Sequence, residues 1–179
     1  MQHELDKYSK TIDHALQFSL GKLTHGLSPA ALMLAFADWY SHLLMHPAKQ
    51  IALLDQYIQS NLQLTKIAGN AFNGHSIQTK KPITNCQMAQ DKRFIATEWQ
   101  QYPFLFYYHA FLMMQSLWHE ASTHVHGVSK HHEEVVDFTV RQWLDIFSPS
   151  NSPFTNPEIQ KAAWEQKGEN FIRGFGNAK

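Results

Sequence analysis

The stretch from Phe104 to His119, FLFYYHAFLMMQSLWH, decides the fold class of this chain. Wound as a helix it is apolar on nearly every side, and Pro103 directly precedes it. A helix without a broad polar face is usually buried in a core. Alternatively, such a helix forms a surface that is covered by a partner domain, a second subunit or an apolar polymer. The sequence leaves both interpretations open.

A second segment of the same kind runs from Ala30 to Met45 and has one narrow polar strip, formed by Asp38, Ser41 and His42. Ser28-Pro29 predicts its start, because serine caps a helix and proline fits the first helical position. His46-Pro47 predicts a break. The helical pattern then resumes over Ala48–Lys66, with one apolar stripe: Ile51, Leu54, Ile58 and Leu62.

Three further segments have helical spacing. His3–Leu23 carries the stripe Leu5, Tyr8, Ile12, Leu16 and Leu20, and His131–Phe147 carries the stripe Val136, Val140, Trp143 and Phe147. Asn156-Pro157 is another cap followed by proline, and it predicts a helix over Glu158–Phe175. No segment alternates at period two for long enough to suggest a sheet. The sequence therefore predicts an all-α fold of about five to six helices.

The periodic pattern disappears between Gly69 and Gln90, where glycine, proline and short polar residues dominate. We expect this stretch to be a mobile linker. It divides the chain into an N-terminal helical segment, residues 1–68, the linker, residues 69–90, and a second helical domain, residues 91–179.

Composition narrows the functional classes. Lys+Arg and Asp+Glu both total 15, so no basic field favours a nucleic-acid partner. One cysteine, Cys86, rules out an intramolecular disulfide and is typical of a reducing compartment. The start, Met1–Lys10, lacks a signal-peptide pattern, and the apolar run Ala30–Ala37 is shorter than the ~20 residues of a membrane span. We expect a cytoplasmic protein without a membrane span.

No catalytic residue and no cofactor site are predicted. A nucleophile elbow needs Ser or Cys between glycines on a strand-to-helix turn, whereas Cys86 lies in Thr84-Asn85-Cys86-Gln87-Met88. We interpret Cys86 as a free thiol. No Gly-rich phosphate-binding loop is present in the sequence.

The histidine-rich region is the one candidate metal site. His119-Glu120 resembles the start of a zinc-protease motif, but position 123 is Thr123 where the second histidine would be needed. A looser site across the turn would use the following cluster: His124, His126, His131 and His132. We predict no metal, because the cluster lacks a carboxylate or thiolate at ligand spacing. Solvated histidines near a helix end are the simpler interpretation.

Four motifs together resemble polyhydroxyalkanoate synthases, most closely those of class I. The motifs are Gly26-Leu27-Ser28-Pro29-Ala30-Ala31-Leu32 continuing to His46-Pro47-Ala48-Lys49-Gln50; Asp91-Lys92-Arg93-Phe94 with Trp99 and Pro103; Ser148-Pro149-Ser150-Asn151 with Thr155-Asn156-Pro157-Glu158; and Gly168-Glu169-Asn170 with Arg173-Gly174. In that family they belong to the N-terminal region, ahead of an α/β-hydrolase domain that carries the catalytic cysteine. The chain is then expected to be truncated before that domain.

The resemblance implies a non-catalytic assembly and binding domain of an enzyme that polymerises 3-hydroxyacyl-CoA. Its expected partners are the catalytic α/β-hydrolase domain, a second copy of itself, and the polymer granule or its coat proteins. The predicted interaction surface takes seven residues from the two apolar helices: Leu32, Phe36, Trp39, Phe104, Tyr108, Phe111 and Trp118. The alternative is a free-standing helical regulatory protein with a metal at the histidine cluster.

Overall fold

The computed structural model describes residues 28–72 and 91–177. These residues form six α-helices and no strand, so the all-α prediction is confirmed. The helices are α1 (Pro29–Leu44), α2 (Pro47–Phe72), α3 (Phe104–Ser122), α4 (Lys130–Ile146), α5 (Pro157–Glu165) and α6 (Glu169–Asn177). Short 3₁₀ turns cover Lys92–Phe94, Thr97–Gln100 and Pro149–Asn151. Within the described ranges, no helix combines the length and the apolar character that crossing a bilayer requires.

The helices contribute to two compact units that are each discontinuous in sequence. Among the described residues, unit 1 takes 28–50 and Ser122–Val140. Unit 2 takes 51–72, 91–121 and 141–177. Helices α2 and α4 each run through both units, so neither unit corresponds to one continuous half of the chain.

Unit 1 has a small core. Ala35 and Trp39 on α1 pack with Val125, which follows α3, and with Val136 on α4. Residues packed around this core are Phe36, Leu43, Val128, Val135 and Val140. The break that His46-Pro47 predicted is present, since α1 ends at Leu44 and α2 begins at Pro47. The Gln50 side-chain amide donates to the carbonyls of Leu43, at 2.9 Å, and Leu44, at 3.0 Å. It thereby adds a donor to the last two carbonyls of α1, of which the Leu43 carbonyl also accepts from the backbone N–H of His46 at 3.2 Å.

Unit 2 has an aromatic core. Phe94 and Trp99, from the segment before α3, pack with Phe111 and Leu112 of α3. The rings of Phe94 and Trp99 meet edge to face, with centroids 4.8 Å apart. Such a geometry stabilises an aromatic pair beyond the area that it buries. The partly buried residues around this core are Ala96, Phe104, Tyr108 and Leu144.

Two predicted helices have different ends in the structure. The helix predicted over Ala48–Lys66 is α2, which continues through Gly69 to Phe72, because one glycine lowers helix stability by only about 1 kcal/mol. The single helix predicted over Glu158–Phe175 is two helices, α5 and α6. Lys167 and Gly168 adopt positive φ, 49° and 86°, and the Gly168 N–H donates to the carbonyl of Ala163 at 2.8 Å, an arrangement that ends a helix.

Several predictions fall outside the described residues. The helix predicted at His3–Leu23, most of the linker and the thiol of Cys86 belong to this part of the chain. The division of the sequence into residues 1–68, 69–90 and 91–179 stays a prediction.

Candidate functional site

The motif Asp91-Lys92-Arg93-Phe94 forms a charged clasp in unit 2. The Arg93 guanidinium lies 2.7 Å from an Asp91 carboxylate oxygen and 2.8 Å from one of Asp145 on α4. It also lies 5.4 Å from the centre of the Phe111 ring, within cation–π range. The hydrogen bonds that Arg93 donates to the Asp91 carboxylate raise the pKa of Arg93. Burial alone would raise the pKa of Asp91, but the bonds from Arg93 outweigh it and leave that pKa lowered. The clasp therefore joins the segment before α3 to α4.

A second set of contacts joins the turn Thr97–Gln100 to α5. The fully buried Trp99 donates its indole N–H to Glu158 at 3.0 Å. Next to it, Lys161 lies 2.7 Å from Glu98, and this hydrogen bond lowers the pKa of Glu98. The first residues of α5 are thus fixed to the aromatic core.

The motif residues from Ser148 to Glu158 form a turn held by its own side chains. Thr155 Oγ1 donates to the carbonyl of Pro149 at 2.8 Å, and Asn156 Nδ2 donates to the carbonyl of Ser150 at 2.7 Å. Asn156 Oδ1 accepts from the backbone N–H of Glu158 at 2.8 Å, which caps α5 as predicted. This turn is a rigid base for the residues at its tip.

An open groove of about 620 Å³ lies between the tip of this turn and α5. Two of the most exposed large side chains of the described residues form its walls, Phe154 at 86% and Trp164 at 88% exposure. The other lining residues are Pro153, Gln160 and Ala163. Gln160 Nε2 donates to the carbonyl of Phe154 at 2.7 Å and fixes one wall to the other. Sequence analysis missed this site, because neither aromatic residue belongs to a periodic stripe.

Two helices also expose apolar stripes. On α1, four outward-facing residues follow a helical period and define the α1 stripe: Met33, Ala37, Tyr40 and Leu44. On α2, the predicted stripe Ile51, Leu54, Ile58 and Leu62, here the α2 stripe, is exposed along its whole length. Helical spacing identified the α2 stripe but not its direction. Exposed apolar surface of this kind is typical of an interaction site.

The residues of the predicted interaction surface lie mostly inside the two units. Trp39 and Phe111 are buried in the cores. Phe36, Phe104 and Tyr108 pack against those cores, because each faces the covered side of its helix. Leu32 is half-buried and Trp118 is exposed. The exposed apolar residues of α1 and α2 are not members of this predicted set. The interaction role of the seven predicted residues stays a prediction.

The histidines of unit 1 are distributed among separate contacts. His132 Nδ1 lies 2.6 Å from the carboxylate of Asp38, and His42 Nδ1 lies 3.1 Å from its other oxygen. His126 packs on the ring of His46, with centroids 5.6 Å apart, and His124 and His131 are exposed. The part of the chain that the structure describes contains no group of three or more metal-ligating side chains placed to hold an ion. The looser histidine site therefore has no support from the geometry.

Gly127 keeps the turn between α3 and α4 close to His42. Its φ of 93° suits glycine, and a Cβ atom there would overlap Cδ2 of His42. A side chain at position 127 would therefore displace the imidazole of His42.

Two protein-family models match regions of the chain that contain several of these features. The family model described as "Poly-beta-hydroxybutyrate polymerase (PhaC) N-terminus" matches residues 90–179, half of the chain. The chain belongs to this family. A second model, "Poly-beta-hydroxybutyrate polymerase N terminal", matches residues 7–49. The clasp, the capped turn and the groove all lie in the first match, and α1 lies in the second.

Curated relatives carry related names. A protein of Methylorubrum extorquens named poly(3-hydroxyalkanoate) polymerase is 33% identical over 86 residues, which are 48% of this chain and 14% of that relative. A poly(3-hydroxyalkanoate) polymerase subunit PhaC of Rhizobium etli is 31% identical over 87 residues, 48% of this chain and 14% of its own length. The chain thus aligns with about one seventh of each relative. No solved structure gives a significant match.

Proposed function

We propose that this chain is the non-catalytic N-terminal assembly and binding domain of a poly(3-hydroxyalkanoate) polymerase. The observation that carries the proposal is the α2 stripe, four large aliphatic side chains on the open side of one long helix. Family membership adds the setting, a polymerase whose remaining chain is several times longer than the aligned region. The expected partners are the catalytic α/β-hydrolase domain, a second copy of this chain, and the polymer granule, all in the cytoplasm.

The stripes supply the driving force for assembly. Removing apolar surface from water contributes about 25 cal/mol per Å², so covering roughly 300 Å² contributes about 7 kcal/mol before the entropic cost of association. The α2 stripe is long and aliphatic, with Asp55 as the one charged residue on the same helical face between Ile51 and Leu62, and it suits helix-to-helix contact.

Association is tested with variants of the α2 stripe. We expect the unsubstituted chain to self-associate at tens of micromolar in sedimentation, and to retain a cognate polymerase catalytic region in a pull-down. The double variant Ile51→Gln with Ile58→Gln should weaken association by at least about tenfold, the equivalent of about 1.4 kcal/mol. Ile95→Gln is the matched control, since Ile95 is 70% and Ile51 67% exposed. A clean monomer that also fails to retain the catalytic region would contradict the proposal.

The non-catalytic role is tested separately. The sequence offers no glycine-flanked nucleophile, so we expect purified chain to release no CoA from 3-hydroxybutyryl-CoA. Turnover above the blank that disappears in the variant Cys86→Ala would show that the thiol of Cys86 is catalytic.

A further inference from the structure

We propose that the groove between Phe154 and Trp164 binds a neutral polyester chain, the class of polymer that the relatives are named for. The inference rests on the proposed function, and it assigns the polymer-binding part of that function to one site. It is independent of the α2 stripe, which would serve protein contacts.

The groove is built before any ligand arrives. Phe154 projects from the turn that Thr155 and Asn156 hold through their bonds to Pro149 and Ser150. Trp164 projects from α5, whose first turn is capped by Asn156. The bond from Gln160 to the Phe154 carbonyl joins the two walls. Exposed aromatic residues on a rigid base lose little side-chain entropy on binding, which is the usual property of an anchor residue.

The electrostatics of the groove favour a ligand without charge. Four of its five lining residues are apolar and the fifth is the amide Gln160. Of the charged residues on α5, Lys161 pairs with Glu98 and Glu158 accepts from Trp99, and the exposed Glu165 next to Trp164 is not among the lining residues. Farther along, Arg173 donates to Gln166. No charged side chain lines the groove to recognise a phosphate, a carboxylate or a basic peptide.

The backbone at the groove is closed to an extended peptide. Pro153 has no N–H, the N–H of Phe154 donates to Ser152 Oγ at 3.3 Å, and the Phe154 carbonyl accepts from Gln160. The backbone here therefore offers an added peptide strand no free N–H donor at Pro153 or Phe154. A polyester has ester carbonyl acceptors and no N–H or O–H donors along its chain. Its alkyl groups fit the aromatic walls, and the Trp164 indole N–H is a donor for a carbonyl.

Retention of the full chain on amorphous polyhydroxybutyrate particles tests this assignment. The variants Trp164→Ala and Phe154→Ala should each reduce retention by about tenfold, as removal of an aromatic anchor does. Trp143→Ala is the matched control, because Trp143 is 54% exposed in unit 2 and does not line the groove. We expect it to bind within about twofold of the unsubstituted chain. A methyl-capped 3-hydroxybutyrate oligomer should compete, and polystyrene beads should not retain the chain in a Trp164-dependent way.

Each other outcome overturns the assignment without deciding the proposed function. Equal retention of the Trp164→Ala and Trp143→Ala variants would place polymer contact outside the groove. Equal dependence on Trp164 for polystyrene would indicate general apolar adsorption. Loss of the catalytic-region pull-down in Trp164→Ala, with particle retention unchanged, would make the groove a protein-docking site. Absence of particle retention in the unsubstituted chain would remove the polymer ligand, and the pull-down would still test assembly.

Discussion

Helices α1 and α3 have the same kind of sequence and different surroundings. Both are apolar on most sides, and both were predicted as core helices or partner surfaces. Helix α3 buries many large side chains, which are Leu105, Phe111, Leu112 and Met113, whereas α1 buries only Ala35 and Trp39. The α1 stripe stays in contact with solvent. An apolar pattern therefore identifies the helix faces whose burial would stabilise the protein. The number of elements packed around a helix decides how much of that apolar surface the fold buries.

A matched pair of leucines tests this contrast with the largest expected effect. Leu112 on α3 is 1% exposed and Leu34 on α1 is 61% exposed. Leu112→Ala should lower the free energy of unfolding by about 2–5 kcal/mol, because it removes core contacts and leaves a cavity. Leu34→Ala should change it by less than about 0.5 kcal/mol. Urea unfolding followed by circular dichroism measures both, and similar losses would mean that α1 is as covered as α3.

The buried histidine of α3, His109, makes the free energy of unfolding depend on pH. Burial lowers the pKa of His109 from 6.5 to about 4. The unfolded chain takes up this proton near pH 6.5 and the folded chain only near pH 4, so stability falls as pH decreases between these values and is level below them. The loss between about pH 7 and pH 5 should be about 2 kcal/mol.

The variant His109→Leu should remove this part of the pH dependence, and His126→Leu, at an exposed position, should not. Urea unfolding at both pH values provides the measurement. A pH dependence that is unchanged in His109→Leu would assign the proton uptake to other groups.

The smallest effect is expected for the polar side of α1. The hydrogen bond from His132 lowers the pKa of Asp38 below its usual 3.8, with burial opposing. Asp38 therefore adds stability above about pH 4, and this contribution is lost as pH falls through the folded-state pKa. Asp38→Asn should flatten the acid limb of the stability profile below pH 4. Thermal melts across pH 3 to 7 test this, and an acid limb that is unchanged in the variant would contradict it.

Much of the local structure was readable from the sequence. Ser28-Pro29, His46-Pro47 and Asn156-Pro157 each mark a helix start or a break that the structure contains. These signals are local, because a cap or a proline acts on the turn in which it stands. The sequence identified the family motifs as a set, but it did not show which contacts they form. Arg93, for example, donates a hydrogen bond to Asp145, 52 residues away in the sequence.

The candidate sites show where sequence reasoning stopped. Spacing placed the α2 stripe on one face of a helix, and it gave no direction to that face. The histidines near the α3–α4 turn are close in sequence, yet they contact different partners. His132 lies next to the Asp38 carboxylate, and His126 packs on the ring of His46. Phe154 and Trp164 are ten positions apart on different elements, and only the folded turn sets them across one groove.

The sequence alone determined the helical class, the ends of several helices, the stock of apolar faces and the family to which the chain belongs. The tertiary structure decided which of those faces are covered, which charges meet and where the groove opens. The physical reason is that capping, proline geometry and periodicity act within a few residues, whereas burial depends on segments far apart in the chain. The α2 stripe shows both parts, since its spacing is written in the sequence and its exposure is a property of the fold.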